Sequence, residues 1–287
     1  MIISIASGKG GTGKTTVAAN LAASLAQPVT VLDCDVEEPN LHLFLHPDIS
    51  GTEKVIAPVP EIDLEKCTLC RKCMEICRFN AIAVAGKTVV TFPELCHSCG
   101  GCFVICPEQA VTEKERVLGL VETGTGPVPD MKFAQGLLDI GQVMVPPVIR
   151  KVKTYRAQDP GITLIDAPPG TSCPVIAAMK DTDVVVLVTE PTPFGLNDLK
   201  LAVETVKLLG IPHGLIINRA GIGDDAVYAY AKNADIPILM EIPFDKEIAV
   251  AYSRGELIIG RRPEYKEKFQ TLYQDICRLA DPKKCAP

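Results

Sequence analysis

Eight of the twelve cysteines in this 287-residue chain fall in one short stretch, and their spacing occurs twice. Cys67, Cys70, Cys73 and Cys77 are followed, 29 residues on, by Cys96, Cys99, Cys102 and Cys106, with Pro107 behind the last. Three closely spaced thiolates can wrap one face of an iron–sulfur cubane, and the distant fourth cysteine of each run then serves the other cluster. The spacing predicts two 4Fe-4S clusters with crossed ligands: Cys67, Cys70, Cys73 and Cys106 for cluster I, and Cys96, Cys99, Cys102 and Cys77 for cluster II. A pair of structural zinc sites would instead use four local ligands each. A disulfide framework belongs to short secreted chains.

The second constellation is Gly8-Lys9-Gly10-Gly11-Thr12-Gly13-Lys14-Thr15-Thr16, between an apolar β-branched run and a helical pattern. This is the strand-to-helix context of a phosphate-binding loop. Its glycines let successive backbone N–H groups turn toward phosphate oxygens, and the helix N-terminus adds partial positive charge. Lys14 is expected to reach the β and γ phosphates and Thr15 to ligate Mg²⁺. An ordinary glycine turn at a helix start fits Gly-Lys-Thr-Thr poorly.

Elements that could position these groups are legible in the hydrophobic pattern. Short β-branched runs at 2–6, 29–32, 162–165, 184–188 and 215–217 read as buried parallel strands. Helical patterns occupy 14–26, 196–209, 224–233 and about 263–279. The alternation implies an α/β fold with a doubly wound, mostly parallel sheet. It breaks across residues 59–114, which are expected to form an inserted small α+β domain carrying both cysteine runs. The repeat is internal, since Asn80-Ala81-Ile82 maps onto Gln109-Ala110-Val111. Residues 1–58 and 115–287 then make one discontinuous domain. The Gly- and Pro-rich segment 119–147 reads as a return path with a mobile loop and a helix.

Lys9 is an extra lysine that a plain phosphate loop has no reason to carry, and with it the chain resembles the MinD, Mrp and nitrogenase iron protein superfamily of P-loop ATPases. The resemblance implies that ATP binding closes a homodimer and that Lys9 reaches the partner's nucleotide. It assigns Asp33-Cys34-Asp35 to switch I, with Asp35 ordering the attacking water and Asp33 in the magnesium shell, although either aspartate could simply cap the loop. Asp166-Ala167-Pro168-Pro169-Gly170-Thr171 resembles a Walker B strand end running into switch II. Asp166 would hold Mg²⁺ through water, and the Gly170 amide would sense the γ-phosphate. This form is closest to the Mrp branch. Asn218-Arg219 stands where relatives bind adenine, and the absence of Asn-Lys-x-Asp favours ATP over GTP. The cysteine runs resemble bacterial ferredoxins, except that Arg78 replaces the proline expected after the first. His97, inside the second run, faces either cluster sulfur or solvent. Cys173 lies close to where the nitrogenase iron protein keeps a cluster ligand, but with no second cysteine to match, a free thiol is the default for Cys173, Cys34, Cys277 and Cys285.

A net charge of −6 and the absence of Trp argue against nucleic acid as a partner. The opening residues carry no basic leader, and no apolar run is long enough to span a bilayer, which points to a reducing cytoplasm. The expected activity is ATP hydrolysis coupled to electron transfer through two 4Fe-4S clusters to an unidentified redox partner. Two other classes compete with it. An Mrp-type cluster carrier would need a Cys-x-x-Cys outside the ferredoxin pattern. A membrane-positioning ATPase would need a basic amphipathic last helix, whereas Lys266, Lys268 and Arg278 alternate with Glu264, Glu267 and Asp275.

Overall fold

The computed structural model describes residues 1–158 and 161–280. Its strands in chain order are β1 (Ile2–Ala6), β2 (Val29–Asp33), β3 (Asp48–Ile62), β4 (Ile82–Ala85), β5 (Thr88–Thr91), β6 (Val111–Thr125), β7 (Met131–Leu138), β8 (Ile162–Asp166), β9 (Val184–Thr189), β10 (His213–Ala220) and β11 (Ile238–Pro243). Nine form one sheet in the order β11-β10-β9-β1-β8-β2-β7-β6-β3, and β4 pairs with β5 alone. Pairing is parallel from β11 through β7. It is antiparallel between β7, β6 and β3.

All five strands expected from the pattern are present. They read as near-continuous apolar runs because both faces are covered. In β9, Val184, Val186 and Val188 enter one core with Ile3 and Ile5, whereas Val185 and Leu187 enter the opposite core with Leu32 and Ile165. Helices Lys14–Ser24 and Glu264–Leu279 pack on the first face. Helices Val145–Lys153 and Pro193–Leu209 pack on the second.

The expectation for 119–147 is corrected. Residues to Thr125 continue β6, Met131–Leu138 is a central strand, and a helix begins only at Val145. β7 carries Lys132, Gln135 and Gly136, so it lacks a β-branched signature, and its strand state is set by parallel pairing with β2. Gly136 is required by packing, since a side chain there would run into Val36, Val148 and Val152. β3 and β6 form a ribbon paired from Asp48↔Thr125 to Ile62↔Val111, running unbroken through positions 59 and 114. Residues 63–110 lie beyond its far end. They include helices Lys72–Ile76 and Gly101–Ile105 and the β4–β5 hairpin, and their Cys73 and Ile82 form a small apolar cluster with Val111 of β6.

Candidate functional site

The C-terminal ends of parallel strands are where an open α/β sheet binds ligands, because the loops there diverge and leave a crevice. Here β1 leads into the glycine loop, β2 into Asp33–Asp35, β8 into the Asp166 loop, β9 into Glu190, and β10 carries Asn218 and Arg219. Gly11 and Gly13 have φ of 76° and 95°, the left-handed region that lets the loop curl, and Lys14 opens the helix directly behind them. Ser7 Oγ donates to the Lys9 carbonyl at 2.6 Å and the Gly170 N–H donates to the Ser7 carbonyl at 3.0 Å. The amide expected to sense the γ-phosphate is thus tied to the phosphate loop. Gly8 lies against the helix Pro193–Leu209, where a Cβ would strike the backbone carbonyl of Asp198.

Asp33 and Asp166 are both buried and sit opposite each other in the β2–β8 register. The Thr15 hydroxyl donates to Asp166 Oδ2 at 2.6 Å, while Oδ1 is buried without a hydrogen-bond partner among the described residues. Burial pushes the Asp166 carboxyl up to about 7, against the pull of Lys14 and the Thr15 hydrogen bond. An unpartnered buried carboxylate oxygen beside a Thr hydroxyl fits the oxygen donors of a magnesium shell, so Thr15 and Asp166 suit the metal. Asp33 is different. Its Oδ1 accepts from the Asp35 N–H and its Oδ2 from Asn40 and Leu41 at 3.0 and 2.9 Å, the loop-capping geometry. Desolvation and Asp166 raise its pKa well above the usual range. Asp35 is less deeply buried, and burial, partly offset by Lys14, raises its carboxyl to about 6.

Asn218 Nδ2 donates to the Thr12 carbonyl at 2.8 Å and its Oδ1 accepts from the Arg219 N–H, so the expected adenine residue braces the phosphate loop. Arg219 Nη1 reaches Glu190 Oε1 at 2.6 Å, and Lys9 Nζ lies 3.4 Å from Glu190 Oε2. Sequence reasoning missed Glu190. Its signal was a lone acid between the end of a buried strand and Pro191.

Beyond the ribbon, the cysteines separate into two groups. Cys67, Cys70, Cys73 and Cys106 line one small cavity, open in part to solvent. Cys77, Cys96, Cys99 and Cys102 line a second. Leu69, Arg71, Ser98 and Gly100 take positive φ, winding the loops around these cavities. Backbone N–H groups of Ala81, Ser98 and Ala110 donate to the sulfurs of Cys77, Cys96 and Cys106, each at 3.3 Å. Burial raises the Cys73 thiol, with Cys67 and Cys106 adding to the shift. Burial and then Cys96 bring Cys102 up to about 11, with Cys99 adding less. Thiols that crowd and disfavour one another's ionisation suit a multi-cationic centre. Among the described residues no His, Cys, Asp or Glu group closes tightly enough to hold a single metal ion. His97 is stacked on Phe79, ring centroids 3.7 Å apart, beside the second cavity. Cys34 is a buried free thiol and Cys173 an exposed one. Cys277 is disulfide-bonded rather than free, and Cys285 lies outside the described residues.

Replacing Gly8 tests the fit of loop to helix. Gly8→Ala should lower unfolding free energy by about 1–3 kcal/mol through overpacking and weaken nucleotide binding by about tenfold or more as the loop shifts. Gly10→Ala, where a Cβ meets nothing within 4 Å, should change stability by less than about 0.5 kcal/mol. Thermal unfolding and nucleotide titration of both variants measure the contrast, and equal stabilities would show that the helix does not constrain the loop.

Residues 3–258 match the family described as the CobQ/CobB/MinD/ParA nucleotide binding domain. An uncharacterized protein of Methanocaldococcus jannaschii is 31% identical, covering 89% of this chain and 90% of its own. An iron-sulfur cluster carrier protein of the same organism is 25% identical, over 98% of this chain and 86% of that one. Among solved structures, the septum site-determining protein MinD of Pyrococcus horikoshii, complexed with Mg-ADP, aligns with a TM-score of 0.59 at 25% identity over 98% of both chains. Among the described residues no helix is long and apolar enough to cross a membrane. With the family match spanning most of the sheet and every strand end described above, the chain is a P-loop ATPase-fold member of the CobQ/CobB/MinD/ParA nucleotide-binding family.

Proposed function

We propose that this chain is an ATP-hydrolysing iron–sulfur protein in which nucleotide-dependent homodimer closure is coupled to electron transfer to a redox partner. The observation that carries the reading is the division of the eight cysteines between two cavities in the crossed pattern that the spacing predicts. In this reading Cys67, Cys70, Cys73 and Cys106 hold one 4Fe-4S cluster, and Cys96, Cys99, Cys102 and Cys77 the other. Such clusters supply one-electron transfer at potentials tuned by hydrogen bonds to sulfur and by burial.

At the nucleotide end, Lys14 and the loop amides bind the phosphates, and Thr15 and Asp166 would hold Mg²⁺, which would neutralise phosphate charge. Asp33 fixes the loop that carries Asp35. Asp35 orders the attacking water and accepts its proton, a role suited to a carboxyl raised toward neutrality. Lys9 reaches across to the second copy's phosphates, and Gly170 leaves the Ser7 carbonyl for the γ-phosphate. Asn218 and Arg219 flank the base.

A second reading, an ATPase that carries clusters to other proteins, is favoured by the relatives named iron-sulfur cluster carrier proteins. Against it, Cys173 is the exposed cysteine outside residues 63–110 among those described, and it has no Cys-x-x-Cys partner.

Chain purified without oxygen should contain about eight iron and eight sulfide, with Cys106→Ser removing the same spectroscopic signal as Cys67→Ser, and Cys77→Ser the same one as Cys96→Ser. Colourless protein, or pairing by sequence run rather than across runs, would sink the cluster assignment. Mg-ATP should shift the reduction potential of wild-type protein but not of Lys14→Ala. Potentials that ignore nucleotide, together with transfer of iron to an apo-acceptor, would favour the carrier.

A pH profile tests Asp35. A base works only when ionised, so ATPase kcat/KM should fall about tenfold per unit as pH drops below about 6. Asp35→Asn should lose about 10²–10⁴-fold activity and the acid limb with it. An unchanged limb in that variant would assign the base elsewhere.

A further inference from the structure

Glu190 takes no part in the scheme above, yet its carboxylate holds two cations at the mouth of the phosphate loop. It follows a strand that is buried throughout and is itself only 6% exposed. An unpaired carboxylate at that depth would carry a large desolvation cost. Arg219 offsets it on Oε1 at 2.6 Å and Lys9 on Oε2 at 3.4 Å. Arg219 is chain neighbour to Asn218, which bonds the Thr12 carbonyl. A closed polar ring therefore runs from Lys9 to Glu190, Arg219, Asn218 and back to the same loop. Its longest link is the Lys9 pair, and Lys9 keeps 32% of its side chain exposed.

We propose that Glu190 is a positioning residue that keeps Lys9 bound within its own subunit until nucleotide-driven closure draws Lys9 onto the phosphates of a second copy. The inference rests on the reading in which Lys9 acts in trans. The exchange conserves charge pairing. Lys9 trades a carboxylate for phosphate oxygens, and Arg219 stays to neutralise the buried Glu190. The strength of the Glu190–Lys9 pair therefore opposes dimer closure, and weakening the carboxylate favours it.

Sedimentation of the full chain with Mg-ATP tests this. Wild type should dimerise and Lys9→Ala should not; failure of that pair alone sinks the trans reading. Given that pair, Glu190→Gln should lower the half-dimer concentration about tenfold, as loss of one charge-assisted contact implies. The gain should vanish in the Lys9→Ala, Glu190→Gln double variant. A purely structural Glu190 would give the reverse, a lower Tm and weaker dimers. If Glu190→Gln does not fold, Glu190→Asp, whose shorter side chain cannot span both cations, should tighten the dimer in the same direction. A half-dimer concentration equal to or above wild type in the folded variant overturns the proposal.

Discussion

Asp33 and Asp166 face each other on adjacent parallel strands, both buried, so the sheet confronts two like charges in a poorly solvated setting. The effective dielectric there is low enough that neither can ionise freely without a partner. Two arrangements make the pair tolerable. Asp33 is enclosed by three backbone N–H donors of the loop after β2, and Asp166 is balanced by Lys14 and the Thr15 hydroxyl. The second arrangement depends on the glycine loop delivering Lys14 and Thr15 to the end of β8. The loop conformation, the strand order and the carboxylates are thus one electrostatic unit, in which a divalent cation beside Asp166 would relieve the remaining repulsion.

The cysteine region is built on a different physical basis. Its apolar cluster is small, and in the proposed reading cluster ligation would supply the cohesion that a short segment cannot draw from a core. The β3–β6 ribbon carries it out from the sheet edge beside β7, so the two cysteine runs begin and end on paired strands. Contact with the rest of the molecule is also made at Met144, whose sulfur lies 3.6 Å from Ser98 Oγ. Met144 begins the helix Val145–Lys153, and Lys153 Nζ donates to the Ala177 and Ala178 carbonyls of the helix that follows the Asp166 loop. Packing is therefore continuous from that loop to the second cysteine cavity.

Where the sequence was legible, the signal was local. Gly13-Lys14-Thr15 and the Cys-x-x-Cys-x-x-Cys runs bring together residues a few positions apart, so spacing alone constrains their geometry. Buried strands such as β9 were legible because full burial demands an unbroken apolar run. β7 was missed because Gln135 and Gly136 are tolerated there for tertiary reasons: Gln135 meets Glu122 at 2.7 Å, and Gly136 makes room for three valines. The ribbon was missed because its side chains are largely exposed along much of its length and leave little hydrophobic pattern.

The sequence by itself determined the phosphate-loop motif, the doubly wound class and the two cysteine runs, since each rests on covalent spacing or on the apolar content of a single strand. Only the tertiary structure decided that Asp33 caps a loop while Asp166 keeps a bare oxygen, that Asn218 braces the phosphate loop, and that Glu190 holds Lys9 and Arg219 together. Those outcomes depend on which strand ends become neighbours. Residues up to 206 positions apart, as Thr12 and Asn218 are, meet through parallel pairing whose order no local spacing encodes.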